Sequence, residues 1–292
     1  QAAQVQAYMK NASADAKGAL TITANESATI TADILAKSAA TSGGFIAVAT
    51  SGAGVSIENS IHAIVKAYID GTDPGNDGMG NMGLTAGGFS LAARDTSTIS
   101  ATANAVSFAR TVGFGPATSV SASKAANSIS NLVGAFAANA QITTAGSLSI
   151  AATESAIVTS ESYAPSRASG SLFSTAEAAA QAANVVGNTT EAVIRNSTVT
   201  AGHIAVRASD ASTIHSFSGA LAVGVSSGFG GGVAQNLIDN AVNAHALDST
   251  LTATSQSIAV EALGLGSILT LAAGASGGLV AGIAGTSTIQ TI

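Results

Sequence analysis

The chain has 292 residues and a mild net charge of -6, and only 9% of its residues are charged against roughly 25% in an ordinary soluble domain. With no Cys it forms neither a disulfide framework nor a thiolate metal site, and with no basic stripe it is not built to grip nucleic acid. Its apolar fraction of 47% is dominated by Ala, with 8 Phe, 3 Tyr and no Trp, which excludes a core of large interlocking side chains and favours stacked sheets that bury backbone and small side chains.

In chain order, Gln1–Lys10 has no basic region followed by an apolar run, so no secretory signal is read there. Ala7-Tyr8-Met9 matches Ala67-Tyr68-Ile69, and residues 1–17 read as the end of a preceding repeat. From Gly18 a marker appears: Gly-x-hydrophobic-x-hydrophobic-x-Ala, an acid, then Ser/Thr-rich residues and an Ile or Val. It runs Gly18 to Ala24, Glu26 and Ile30, then Gly87 to Ala93, Asp95 and Ile99. It returns as Gly146 to Ala152, Glu154 and Val158, and as Gly202 to Ala208, Asp210 and Ile214. A worn copy reaches Ala262 and Ile268, with Gly264 in the place of the acid. The marker alanines are 69, 59, 56 and 54 residues apart. A second marker is an Asn eight residues before an Ala that opens an apolar alternation: Asn59/Ala67, Asn127/Ala135, Asn184/Ala192 and Asn236/Ala244. The first interval is longer because of an insertion at Asp70–Gly83.

These markers divide the chain into repeats at about 18–86, 87–145, 146–201 and 202–254 and a partial one at 255–292, one continuous array over 1–292. Inside each repeat the period is two, as in Leu20-Thr21-Ile22-Thr23-Ala24 and Ile204-Ala205-Val206-Arg207-Ala208, which is a strand signature. Gly-rich bends are expected at Ser42-Gly43-Gly44, Gly113–Pro116 and Gly228–Gly232. Ala179–Ala183 has helical propensity, but its counterparts alternate, so it reads as strand. The fold class expected is all-β, an elongated β-solenoid (β-helix-like) of about 55-residue repeats, with sheets closer than the usual ~10 Å. Neither end carries the polar cap that an array needs, so the chain reads as a window on a longer protein.

An Asn held at one phase of an apolar alternation has two readings. Asn59, Asn127, Asn184 and Asn236 form an inward hydrogen-bonded ladder, or they are exposed turn residues chosen for a left-handed backbone.

Segments such as Ser197–Ile214 followed by Val233–Leu251 resemble the repeats of giant bacterial exoproteins. These are the leukotoxin-like and filamentous-haemagglutinin-like surface proteins and the passenger regions of large autotransporters. The resemblance extends over essentially the whole chain. It implies a β-solenoid at the bacterial cell surface or secreted from it, acting as adhesin or scaffold.

Candidate chemistry is sparse, and no enzyme is expected. Gly224–Gly228 matches G-x-S-x-G but falls in a bend with no helix to follow it. Gly78, Gly80 and Gly83 match G-x-G-x-x-G but lead into a strand pattern rather than a helix. His62, His203, His215 and His245 occupy different repeat positions and never share metal-ligand spacing. The insertion brings Asp70, Asp73, Asn76 and Asp77 within eight residues, either a solvated turn, which composition favours, or a weak calcium site. No other cofactor is expected. The recurring acids Glu26, Asp95, Glu154 and Asp210 would stack about 4.8 Å apart, solvated at a turn by default or else bridged by cations. Leu263–Gly285 is uncharged and long enough for a membrane helix, with Gly274, Gly278 and Gly282 at G-x-x-x-G spacing. It keeps phase with the repeat, however, and lacks flanking Lys or Arg, so a membrane is not the expected partner. The expected function is a structural or adhesive segment of a large extracellular surface or fibre protein, self-associating or binding cell-surface and host ligands. The alternative is a membrane-active toxin or pore.

Overall fold

The computed structural model describes residues 2–72 and 83–292. Regular structure within them is all strand, paired in parallel into four sheets, called I to IV here. The chain visits the sheets in fixed order. Leu132–Ala138 lies in sheet I, Gln141–Thr144 and Ser147–Glu154 in sheet II, Ile157–Ser169 in sheet III and Ser174–Val186 in sheet IV. Thr189–Arg195 then comes back to sheet I beside Leu132–Ala138, and the order begins again. Parallel pairing requires a long return path between neighbouring strands, and here the other three sheets supply it.

Both sequence markers align across the sheets. Ala24, Ala93, Ala152, Ala208 and Ala262 are successive register partners in sheet II. Asn59, Asn127, Asn184 and Asn236 are partners in sheet IV. The period-two pattern sends alternate residues inward, and what they are decides how far apart the sheets stand. Sheets I and II enclose branched side chains, including the fully buried Ile69, Leu91, Ile150 and Ile194. Sheets III and IV face each other through Ala, Ser and Gly, and their Cα atoms approach within 8 Å, against ~10 Å for sheets packed through larger side chains. A zigzag of hydroxyls links these two sheets: Ser107 donates to Ser51 at 3.0 Å, Ser119 to Ser107 at 2.9 Å and Ser166 to Ser119 at 2.9 Å.

Gly228–Gly232 is not the expected bend. It lies inside the strand Ser227–Ile238, and a Cβ on Gly230 would fall 2.4 Å from the Ala275 carbonyl oxygen. The glycines are there because sheet III comes too close for a methyl group. Ala179–Ala183 lies in the strand Ser174–Val186. Leu263–Gly285 spans strand residues of sheets II, III and IV, and no helix among the described residues is long and apolar enough to cross a membrane.

The corner from sheet I to sheet II is set by one backbone conformation. Asn11, Gly71, Asn139, Asn196 and Asp248 each follow the last paired residue of sheet I, and all five have positive φ, between 46° and 81°. Gly, Asn and Asp are the residues that enter this region at least cost. Their amides continue the ladder through the corner, as when Asn139 N–H donates to the Arg195 carbonyl at 3.0 Å.

Candidate functional site

Two features carry polar chemistry: an interior set of stacked amides and carboxyls, and a depression on the outer face of sheet I.

In the interior, the sheet IV asparagines form a continuous ladder. Asn59 Nδ2 donates to Asn127 Oδ1 at 2.9 Å, Asn127 to Asn184 at 2.8 Å, and Asn184 to Asn236 at 2.7 Å. Asn127, Asn184 and Asn236 are buried, and the chain passes through an apolar alternation on either side of each.

The recurring acids stand in a second column, at the end of sheet II. Glu26 pairs in register with Asp95, Asp95 with Glu154, and Glu154 with Asp210. The expected solvation does not occur at three of the four: Asp95 and Glu154 are 0% exposed and Asp210 is 2% exposed, while Glu26 is half-buried. The reason lies on the corner between sheets IV and I, where a further set of asparagines faces the acids. Asn131 Nδ2 donates to Asp95 Oδ2, Asn188 Nδ2 to Glu154 Oε1 at 3.2 Å, and Asn240 Nδ2 to Asp210 Oδ1 at 2.7 Å. The other end of each amide is also used. Asn131 Oδ1 accepts from Ala63 N–H, Asn188 Oδ1 from Asn131 N–H, and Asn240 Oδ1 from Asn188 N–H, at 2.8 to 2.9 Å. Each carboxamide thus ties a carboxyl to the backbone of the neighbouring repeat.

Asn131, Asn188 and Asn240 were not singled out from sequence. Their signal is an N-x-x-x-N spacing with the ladder asparagines, present in three repeats and replaced by Ala63 in the first. A second overlooked signal links the acid to the residue two positions on. Glu26 and Glu154 are followed by Ala28 and Ala156, Asp95 and Asp210 by Ser97 and Ser212. The shorter acid takes a hydroxyl partner: Ser97 Oγ lies 2.9 Å from Asp95 Oδ2, and Ser212 Oγ lies 2.7 Å from Asp210 Oδ1. The longer acid has only a methyl there, and Glu154 Oε2 accepts from no N–H or O–H donor. Burial pushes the Glu154 carboxyl up to about 9, with the Asp95 and Asp210 carboxyls beside it adding to the rise. Burial likewise raises Asp95 to about 7, helped by the Glu26 carboxyl stacked beside it.

On the outer face of sheet I the rings of Tyr8, Tyr68 and Phe136 stack at 5.0 and 4.7 Å between centroids, and the Arg195 guanidinium lies 5.7 Å from the Phe136 centroid. Gly134 interrupts the neighbouring column between Lys66 and Glu191, leaving an open depression of about 390 Å³ bordered by Phe136, Val193 and Arg195. Its walls mix the charged Lys66, Glu191 and Arg195 with the apolar Leu132, Phe136 and Val193.

Of the calcium candidates, Asp73, Asn76 and Asp77 lie outside the described residues, as do Gly78 and Gly80. Asp70 ends a sheet I strand, where its carboxylate accepts from Asn139 Nδ2 at 3.0 Å and lies 3.9 Å from Lys10 Nζ. Among the described residues no three His, Asp or Glu side chains converge as a metal site requires. His62, His215 and His245 are exposed at separate places. Ser226 of the G-x-S-x-G match sits in the corner between sheets III and IV, with a strand on either side.

No protein-family model matches this chain, and no curated protein or solved structure is significantly similar to it.

Proposed function

We propose that the chain is a segment of a β-solenoid, wound in repeats of about 55 residues, from a large extracellular bacterial surface or fibre protein, where it acts as a passive adhesive scaffold. The observation that carries this reading is the stacking of like on like. Ala on Ala, Asn on Asn and acid on acid recur in register through parallel sheets, so each repeat finds its partner in the next. Such an interior serves extension and stiffness. The outward columns then present the same kind of surface again and again at strand spacing, and weak contacts add up through multivalency. The depression beside Phe136 is the most structured place for such a contact.

Small-angle scattering and a bead assay test this together. The isolated chain, five strands deep and so roughly 24 Å along the stacking axis, should scatter as a flat-sided block broader across the strands than along the stack. Beads displaying many copies should hold to a target cell layer under flow, while the monomer washes off. A spherical scattering profile, or beads that adhere no better than blank ones, would reject the reading. Dye release from neutral or anionic vesicles would replace it with a membrane-active function.

A further inference from the structure

We propose that Glu26, Asp95, Glu154 and Asp210 form a proton-bridged spine, in which Glu154 keeps its proton at neutral pH and shares it with the Asp95 carboxyl, so that the stacked repeats are locked by acid and loosened by base.

Three geometric observations lead here. First, Glu26, Asp95, Glu154 and Asp210 are successive register partners at the end of sheet II, with Asp95 and Glu154 fully buried, so neighbouring carboxyls stack against each other at strand spacing. Two carboxylates have only acceptors to offer each other, so such contacts need a proton between them. Second, the alternation Glu-x-Ala, Asp-x-Ser, Glu-x-Ala, Asp-x-Ser sets long acids between short ones, which lets the carboxyls meet while the backbones keep strand spacing. Third, Glu154 Oε2 is buried and accepts from no N–H or O–H donor, a costly state for an ionised carboxylate that a proton shared with the Asp95 carboxyl relieves.

No other charge offsets the spine. The groups facing it from the corner of sheets IV and I are the neutral amides of Asn131, Asn188 and Asn240, and those from the corner of sheets II and III are the Ser97 and Ser212 hydroxyls. Arg94 and Arg207 on the same strands, and Asp239 beside Asn240, are exposed and outward. None of the ion pairs among the described residues includes a member of the spine.

The sign of the pH effect follows from the direction of the shifts. The carboxyls of Asp95 and Glu154 ionise near 3.8 and 4.5 when free, and near 7 and 9 in the folded chain. The folded state therefore holds more protons than the unfolded state through this window. Stability from the spine is complete below about pH 4 and is lost as pH rises through 7 and 9.

Thermal melts of the whole chain from pH 4 to 9.5, with refolding in weak buffer at pH 7, test the proposal. The melting temperature should fall as pH rises, and refolding at pH 7 should take up about one to two protons per chain. Glu154→Gln copies the shape and donor of the protonated acid. It should lower the uptake and make the variant more stable than the parent above pH 8. A melting temperature that rises with pH, or refolding without proton uptake, would overturn the proposal. So would a parent chain that calcium or magnesium stabilises and Glu154→Gln renders indifferent to them, because cations would then bridge the column. Should Glu154→Gln fail to fold, the proton uptake of the parent alone decides.

Discussion

At the residue scale, each ladder Asn uses one half of its amide above and the other below. Replacing Asn184 with Leu strands Asn127 Nδ2 and Asn236 Oδ1 in a dry interior and should cost about 2–4 kcal/mol. Val185→Ser, on the outward face next to it, should change stability by no more than about 0.5 kcal/mol, and urea denaturation compares the two. The sequence offered two roles for a recurring Asn, inward ladder or left-handed turn, and the molecule uses both at different positions. Asn59, Asn127, Asn184 and Asn236 stack, while Asn11, Asn139 and Asn196 turn the corner out of sheet I. The first set was legible because it keeps phase inside an alternation. The second was not, since Gly71 and Asp248 fill two of its five places and hide the repetition. The acids were legible as a line, but not as a buried line. Burial depends on Asn131, Asn188 and Asn240, which come from the corner between sheets IV and I, and no local pattern states which corners will face each other.

At the element scale, side-chain size sets the distance between sheets. Sheets III and IV close up because their inward positions hold Ala, Ser and Gly, and Gly230 marks one of the tight places inside the facing strands. Gly230→Ala should push a methyl group against the Ala275 carbonyl and cost about 1–3 kcal/mol. Gly231→Ala, whose Cβ would meet nothing nearer than 3.7 Å, is the matched control and should be close to neutral in the same thermal melts. Composition announced this close packing, because a chain rich in Ala and poor in aromatics has few other ways to exclude water. It did not reveal where the bends fall. A run of glycines reads equally as a flexible corner or as a strand pressed against its neighbour, and only the facing strand distinguishes them.

At the scale of the whole molecule, a strand's contacts lie within its own circuit of the four sheets and the circuits before and after it, so energetic coupling should fade along the stack. Asn127→Ala and Asn184→Ala share a hydrogen bond, and together they should depart from additivity by about 0.5 kcal/mol or more. Asn59→Ala and Asn236→Ala, about 14 Å apart at strand spacing, should add within that margin. A double-mutant cycle in chemical denaturation measures both. The same topology has a mechanical side. Hydrogen-bonded neighbours in sheet IV come from positions 52 to 68 residues apart in the chain, so tension on the chain loads one rung at a time instead of shearing a whole sheet. Each rung of 57 residues that yields pays out roughly 190 Å of slack. A chain paired this way should lengthen stepwise under a strong pull, one rung at a time.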